Sequence, residues 1–149
     1  SAEGGALLGR LAEDRLGICE AIAALVPDAR DPARTRHSRH EQVLQRVLQI
    51  VLGYADQNDA DGLRDDPLLN TACASSPHGP ALSSQPTLSR LENAPDARHV
   101  EAMQLKLITS WIRRLDDERR EIVLDLDSSA FEEHGAQQYL SFCGFHRYQ

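Results

Sequence analysis

Ser38-Arg39-His40-Glu41-Gln42-Val43-Leu44-Gln45-Arg46-Val47-Leu48-Gln49-Ile50-Val51-Leu52-Gly53 is the stretch that decides the fold class. Ser38 suits an N-cap and Glu41 follows three residues later, the spacing at which each side chain satisfies a backbone donor of the other. Val43, Leu44, Val47, Leu48, Val51 and Leu52 then recur at helical spacing as a continuous apolar stripe up to about Gly53. The pattern predicts a central core helix. Upstream, Leu7, Leu8, Leu11, Ile18, Ile22 and Leu25 predict one long helix or two short ones over 6–26, bent near Gly17 and ended by Pro27. Residues 27–37 read as a turn-rich connection.

Downstream, residues 56–66 are acidic and amide-rich, with Asp59, Asp61, Asp65 and Asp66 close together. They lack the Asp-x-Asp-x-Asp-Gly run and terminal Glu of a calcium loop, so they read as helix caps and solvated turns. Leu63, Leu68 and Leu69 mark short helical pieces around the start signal Pro67. Residues 74–84 form a Ser-, Pro- and Gly-rich loop, and a compact helix spans 86–93. A long helix over 97–117 carries Val100, Met103, Leu107, Ile108, Trp111, Ile112 and Leu115 and reads as a second core element. The character changes at Glu121, where Ile122, Val123, Leu124 and Leu126 predict a strand. The fold class is therefore mainly α, a helical region over 1–120 followed by a C-terminal β-strand in 121–149.

At 149 residues the chain is the size of one ordinary domain and can bury a real core without staples. No apolar run approaches the ~18 residues of a membrane span, and the N-terminus lacks the basic start and apolar stretch of a secretory signal. A cytoplasmic protein is the simplest reading. Cys19, Cys73 and Cys143 stand singly, without zinc-ligand spacing, and read as free thiols. The net charge of -7 argues against a protein that coats nucleic acid indiscriminately. It leaves room for local contact, because screening over about 10 Å at 0.1 M salt uncouples a basic patch from distant acids. Arg30, Arg34, Arg36, Arg39 and Arg46 form such a patch around His37 and His40, against only Asp31 and Glu41. From charge alone, a solvated Arg-rich helix face explains it equally well.

Two further segments carry chemistry. Ser84-Gln85-Pro86-Thr87-Leu88-Ser89-Arg90-Leu91-Glu92-Asn93 puts Gln85, Thr87, Ser89 and Arg90 at the start of a small helix whose Leu88 and Leu91 face a core. Such side chains suit base edges and phosphates, and a helix N-terminus attracts phosphate. A capped surface helix without ligand is the plainer alternative. In Ile122-Val123-Leu124-Asp125-Leu126-Asp127-Ser128-Ser129, strand periodicity puts Asp125 and Asp127 on one face. Carboxylates at a strand end can hold Mg²⁺ for phosphoryl transfer, although two acids facing water would look the same.

Taken in order, these segments resemble the transposases of the insertion-sequence 1380 group, within the DDE class. The likeness runs through Arg30-Asp31-Pro32-Ala33-Arg34, Gly53-Tyr54-Ala55-Asp56-Gln57-Asn58-Asp59, Leu63-Arg64-Asp65-Asp66-Pro67, residues 84–95, residues 122–129 and His134-Gly135-Ala136-Gln137. The resemblance implies a helical DNA-binding region followed by an RNase H-like core, in which two Asp and one Glu hold Mg²⁺ for strand cleavage and transfer. It singles out Asp127, followed by Ser128-Ser129, as the first catalytic and metal-binding aspartate, with Asp125 as a neighbour.

The second Asp and the Glu of that set would follow Gln149, so the expectation is a catalytically incomplete chain without cleavage activity of its own. Its expected partner is double-stranded DNA, in the form of transposon-end inverted repeats. Arg34, Arg36 and Arg39 are assigned to phosphates, and Gln85, Thr87, Ser89 and Arg90 to bases. Two readings stand against this one: a helical interaction module forming a homodimer through the 43–52 and 100–115 faces, and a transposase remnant without function.

Overall fold

The computed structural model describes residues 3–74 and 76–115, together with Glu121 and Val123. The chain divides into two units, Ser1–Leu115 and Asp116–Gln149. Among the described residues there are seven α-helices and no strand: α1 (Gly5–Leu16), α2 (Ile18–Ala23), α3 (Arg39–Val51), α4 (Ala60–Leu63), α5 (Pro67–Ala74), α6 (Gln85–Glu92) and α7 (Ala97–Ile112). Short 3-10 turns lie at Pro32–Arg34 and Gln57–Asp59. The chain is mainly α, as expected. The strand expected over 122–126 lies outside the described residues, Val123 apart.

The break expected near Gly17 is a change of helix. Gly17 adopts φ 60°, a left-handed conformation that a Cβ disfavours, and donates its N–H to the Glu13 carbonyl at 2.7 Å, closing α1. The buried Glu13 carboxylate then caps α2. It accepts the N–H groups of Ile18 at 3.1 Å, Cys19 at 2.9 Å and Glu20 at 3.2 Å. One acid thus satisfies three donors that a helix start leaves without intrahelical partners.

α3 begins as its sequence predicts: Glu41 N–H donates to Ser38 Oγ at 3.1 Å, and Ser38 N–H donates to Glu41 Oε2 at 2.6 Å. Its buried side differs from the expected stripe. Leu44 and Leu48 are buried, but beside them lie Gln42, Gln45 and Gln49, each 1% exposed. Val47, Ile50 and Val51 face outward at 39%, 51% and 69%. With ~3.6 residues per turn, Gln45 and Gln49 fall in the same arc as Leu44, Leu48 and Leu52, while Ile50 falls across the helix from it and Val47 and Val51 fall beyond its Leu44 edge. α1 meets this arc through its smallest residues. A Cβ at Gly5 would lie 3.0 Å from Leu52 Cδ2, and one at Gly9 would overlap Leu48 Cδ2.

The remaining helices close the core around α3. Pro67 opens α5 as expected, and Asp66 Oδ1 accepts the N–H groups of Leu68 and Leu69 at 2.9 Å each. Leu69, Ala72 and Cys73 of α5 join Leu82 and the Leu88 and Leu91 pair of α6 in one apolar cluster with Leu44. Cys19 and Cys73 are free buried thiols, both pushed up to about 12, chiefly by burial, which leaves them protonated and unreactive near neutrality. Cys143 lies outside the described residues.

α7 departs from expectation. Asp96 caps it by accepting His99 N–H at 3.0 Å, but none of its residues is buried. Met103 packs against the core, whereas Val100, Leu105, Leu107, Ile108, Trp111 and Ile112 are exposed. An apolar stripe reports that a helix can be covered, not that the same unit covers it. No helix among the described residues is long and apolar enough to cross a membrane.

Candidate functional site

Five arginines crowd residues 30–46, and the fold divides them into two kinds. Asp28 takes Arg30 bidentately, with Nε and Nη2 each at 2.7 Å, and Arg30 Nη1 also reaches the His37 carbonyl at 3.0 Å. These hydrogen bonds hold the Asp28 carboxyl well below the usual carboxylate range. The same carboxylate receives Arg39 Nη2 at 3.1 Å, and Arg39 further donates to the Pro27 carbonyl at 2.9 Å and to Gln42 Oε1 at 3.1 Å. Arg46 is bound to Glu92 of α6 and to the carbonyls of Tyr54 and Ala55, at 3.1 and 2.6 Å. All three are therefore internal ties.

Arg34 and Arg36 are the other kind. Asp31 caps the 3-10 turn by accepting Ala33 N–H at 2.9 Å, and Thr35 Oγ1 donates to the Asp31 carbonyl at 2.8 Å. The turn so formed carries Arg34 and Arg36 exposed, with no hydrogen bond or ion pair to another described residue. Both line a cleft of about 530 Å³. His37 lines it too, and its pKa is lowered, chiefly by burial, so the charge of this wall near neutrality comes from arginine.

The facing wall is residues 82–84 and the start of α6. Gln45 fixes it: its Nε2 donates to the Ser83 carbonyl at 2.9 Å while its Oε1 accepts Ser83 N–H at 3.0 Å. A buried amide thereby completes one residue's backbone as a neighbouring strand would. Leu82 N–H donates to the Arg64 carbonyl at 2.9 Å, and the Ser84 and Thr87 hydroxyls lie 3.1 Å apart. Arg64, Ser83, Ser84 and Thr87 all line the cleft.

The residues expected from sequence are thus only partly brought together. Arg34, Arg36 and Thr87 share the cleft, while Arg39, Gln85, Ser89 and Arg90 do not line it. Arg90 is exposed on α6, and the Ser89 carbonyl accepts Asn93 Nδ2 at 2.7 Å. The phosphate-attracting helix start expected at α6 has its donors engaged: Gln85 N–H goes to Asp61 Oδ1 at 3.0 Å, those of Thr87 and Leu88 go to the Ser84 carbonyl, and Pro86 has none. Arg64 and Ser83 are cleft residues that the sequence reading passed over. Arg64 sits in the acidic stretch before Pro67, where counting charges hides it.

A basic concave surface on a small helical unit is shared by many proteins, so sequence comparison settles the relationship. The family model described as Transposase DDE domain group 1 matches residues 1–149. The chain belongs to this DDE transposase family. No curated protein and no solved structure matches it. Transposases act on DNA. Asp127 of this transposase domain lies outside the described residues. Among the described residues, no group of three His, Cys, Asp or Glu side chains could hold a metal ion.

Proposed function

We propose that the unit 1–115 is the DNA-contacting part of a bacterial transposase of the insertion-sequence 1380 group, and that its partner is the inverted repeat at a transposon end. The observation that carries this reading is the pairing of Arg34 and Arg36, free of internal partners, with Thr87 of α6 in one cleft. Free guanidinium groups bind phosphate in bidentate fashion, whereas those already tied to carboxylates do not. Arg90, Ser89 and Gln85 continue along the same small helix, where side chains of these types read base edges. Asp127 is the residue the resemblance assigns to Mg²⁺ and to the first catalytic role, with other carboxylates of the core.

The reading is tested by titrating duplex DNA carrying a transposon end against the protein at several salt concentrations. Log affinity is expected to fall linearly with log salt, and the Arg34→Ala and Arg36→Ala changes should each flatten that slope by about 0.9. Arg39→Ala, by contrast, should lower stability through Asp28 and Pro27. An affinity indifferent to both salt and the Arg34 and Arg36 changes would overturn the proposal.

The exposed apolar residues of α7 favour a second role for the same unit, homodimerisation. Light scattering should then report twice the chain mass, and Leu107→Glu with Trp111→Glu should return it to one; a monomer before substitution excludes this role.

A further inference from the structure

We infer that Arg64 and Ser83 form a socket for a single phosphate group inside the cleft, an inference that rests on the DNA-contacting reading and adds residues to it. Two polar atoms of cleft-lining residues, Arg64 Nε and Ser83 Oγ, are sealed from solvent without a hydrogen-bond partner among the described residues. Ser83 as a whole is 3% exposed. Buried polar atoms are nearly always paired in folded proteins, so unpaired ones on two residues that line one cleft point to a ligand there.

The backbones of both residues are already committed. The Arg64 carbonyl accepts Leu82 N–H at 2.9 Å and Asn70 Nδ2 at 3.0 Å, while Ser83 is held on both sides by Gln45. Arg64 and Ser83 are thus fixed in place, with a side-chain donor apiece left over. Their chemistry narrows the ligand. A guanidinium N–H can only donate and is always charged; a hydroxyl can donate to the same group. Among the described residues, the only carboxylate lining the cleft, that of Asp31, already accepts a backbone N–H.

An anion with several acceptor oxygens fits such a set, and Arg34 and Arg36 on the same cleft extend positive charge beyond one site, as a chain of phosphates requires. The phosphate is accordingly a backbone phosphodiester of the bound DNA, with inorganic phosphate a weaker occupant of the same socket.

The test follows the Arg64 Nε–H resonance of the isotopically labelled full chain, assigned with the Arg64→Lys variant, during separate titrations with inorganic phosphate and with duplex DNA. Saturable shifts are expected in both. In parallel, Arg64→Gln should weaken duplex binding about tenfold at fixed salt and lower the salt slope by about 0.9. Ser83→Ala should weaken binding less, and the double variant should fall short of the product of the two effects, because both residues grip one group.

If duplex binds while the Arg64 signal stays still and Arg64→Gln keeps the slope, the socket is wrong and the DNA reading stands. If inorganic phosphate moves the signal but duplex never binds, the phosphate socket stands as an anion site and its assignment to DNA falls. A still Arg64 signal in both titrations together with no duplex binding overturns both. The resonance is read on the unsubstituted protein, so a variant that fails to fold does not decide the outcome.

Discussion

Gln45→Leu is expected to lower the unfolding free energy by about 2–6 kcal/mol, since it strands two buried backbone groups at roughly 1–3 kcal/mol each. Leucine keeps nearly the same volume, so no cavity complicates the comparison. What is lost is the pair of hydrogen bonds to Ser83 N–H and its carbonyl across 38 residues of chain. The neighbouring Gln49→Leu supplies the opposite expectation. Gln49 is as buried as Gln45, yet both its side-chain polar atoms lack partners among the described residues. Removing an unpaired buried amide should raise stability by about 1 kcal/mol. Urea unfolding of the two variants checks the pair, and equal effects of the same sign would refute the account of the glutamine face.

Glu13→Ala should be nearly as costly, at about 2–4 kcal/mol, because it removes a charged cap from three N–H groups and empties a buried site. Glu13→Gln keeps an acceptor oxygen and should fall between the two. The effect should be local as well as global: the amides of Ile18, Cys19 and Glu20 should lose hydrogen-exchange protection first, since these are the groups the carboxylate holds. Uniform loss of protection along α2 and α3 would mean that Glu13 acts through packing alone.

Local signals were legible in the sequence. Gly17, the Ser38 and Glu41 pair, Pro67, and the Leu88 and Leu91 pair each act within a turn or two of helix, where spacing alone decides geometry. What depended on distant neighbours was not. The stripe of Val47 and Val51 is as good a helical pattern as the one that Leu44 and Leu48 bury, and only the seat of α1 and residues 82–84 selects between them. α7 shows the same ambiguity: its apolar residues recur at helical spacing, but only Met103 finds the core.

In the candidate site, composition marked the right stretch without marking the right arginines. Arg30, Arg39 and Arg46 are drawn off by acids and carbonyls from 2 to 46 positions away, and no count of charge in 30–46 contains that information. Arg64 was hidden for the complementary reason. Its sequence neighbours are acidic, while its neighbours in the fold are Leu82 and Ser83.

Asp28, which holds Arg30 and Arg39 at once, has one more consequence. A carboxyl with a depressed folded-state pKa contributes stability above its unfolded value of ~3.9 and gives it up only as pH falls through the lower folded value. His37, with a lowered pKa, takes up its proton only below ~6.5, and arginine does not titrate in this range. From that point up to mild alkalinity the cleft therefore keeps one charge and one anchoring, and pH within that window is not a signal that this surface reads.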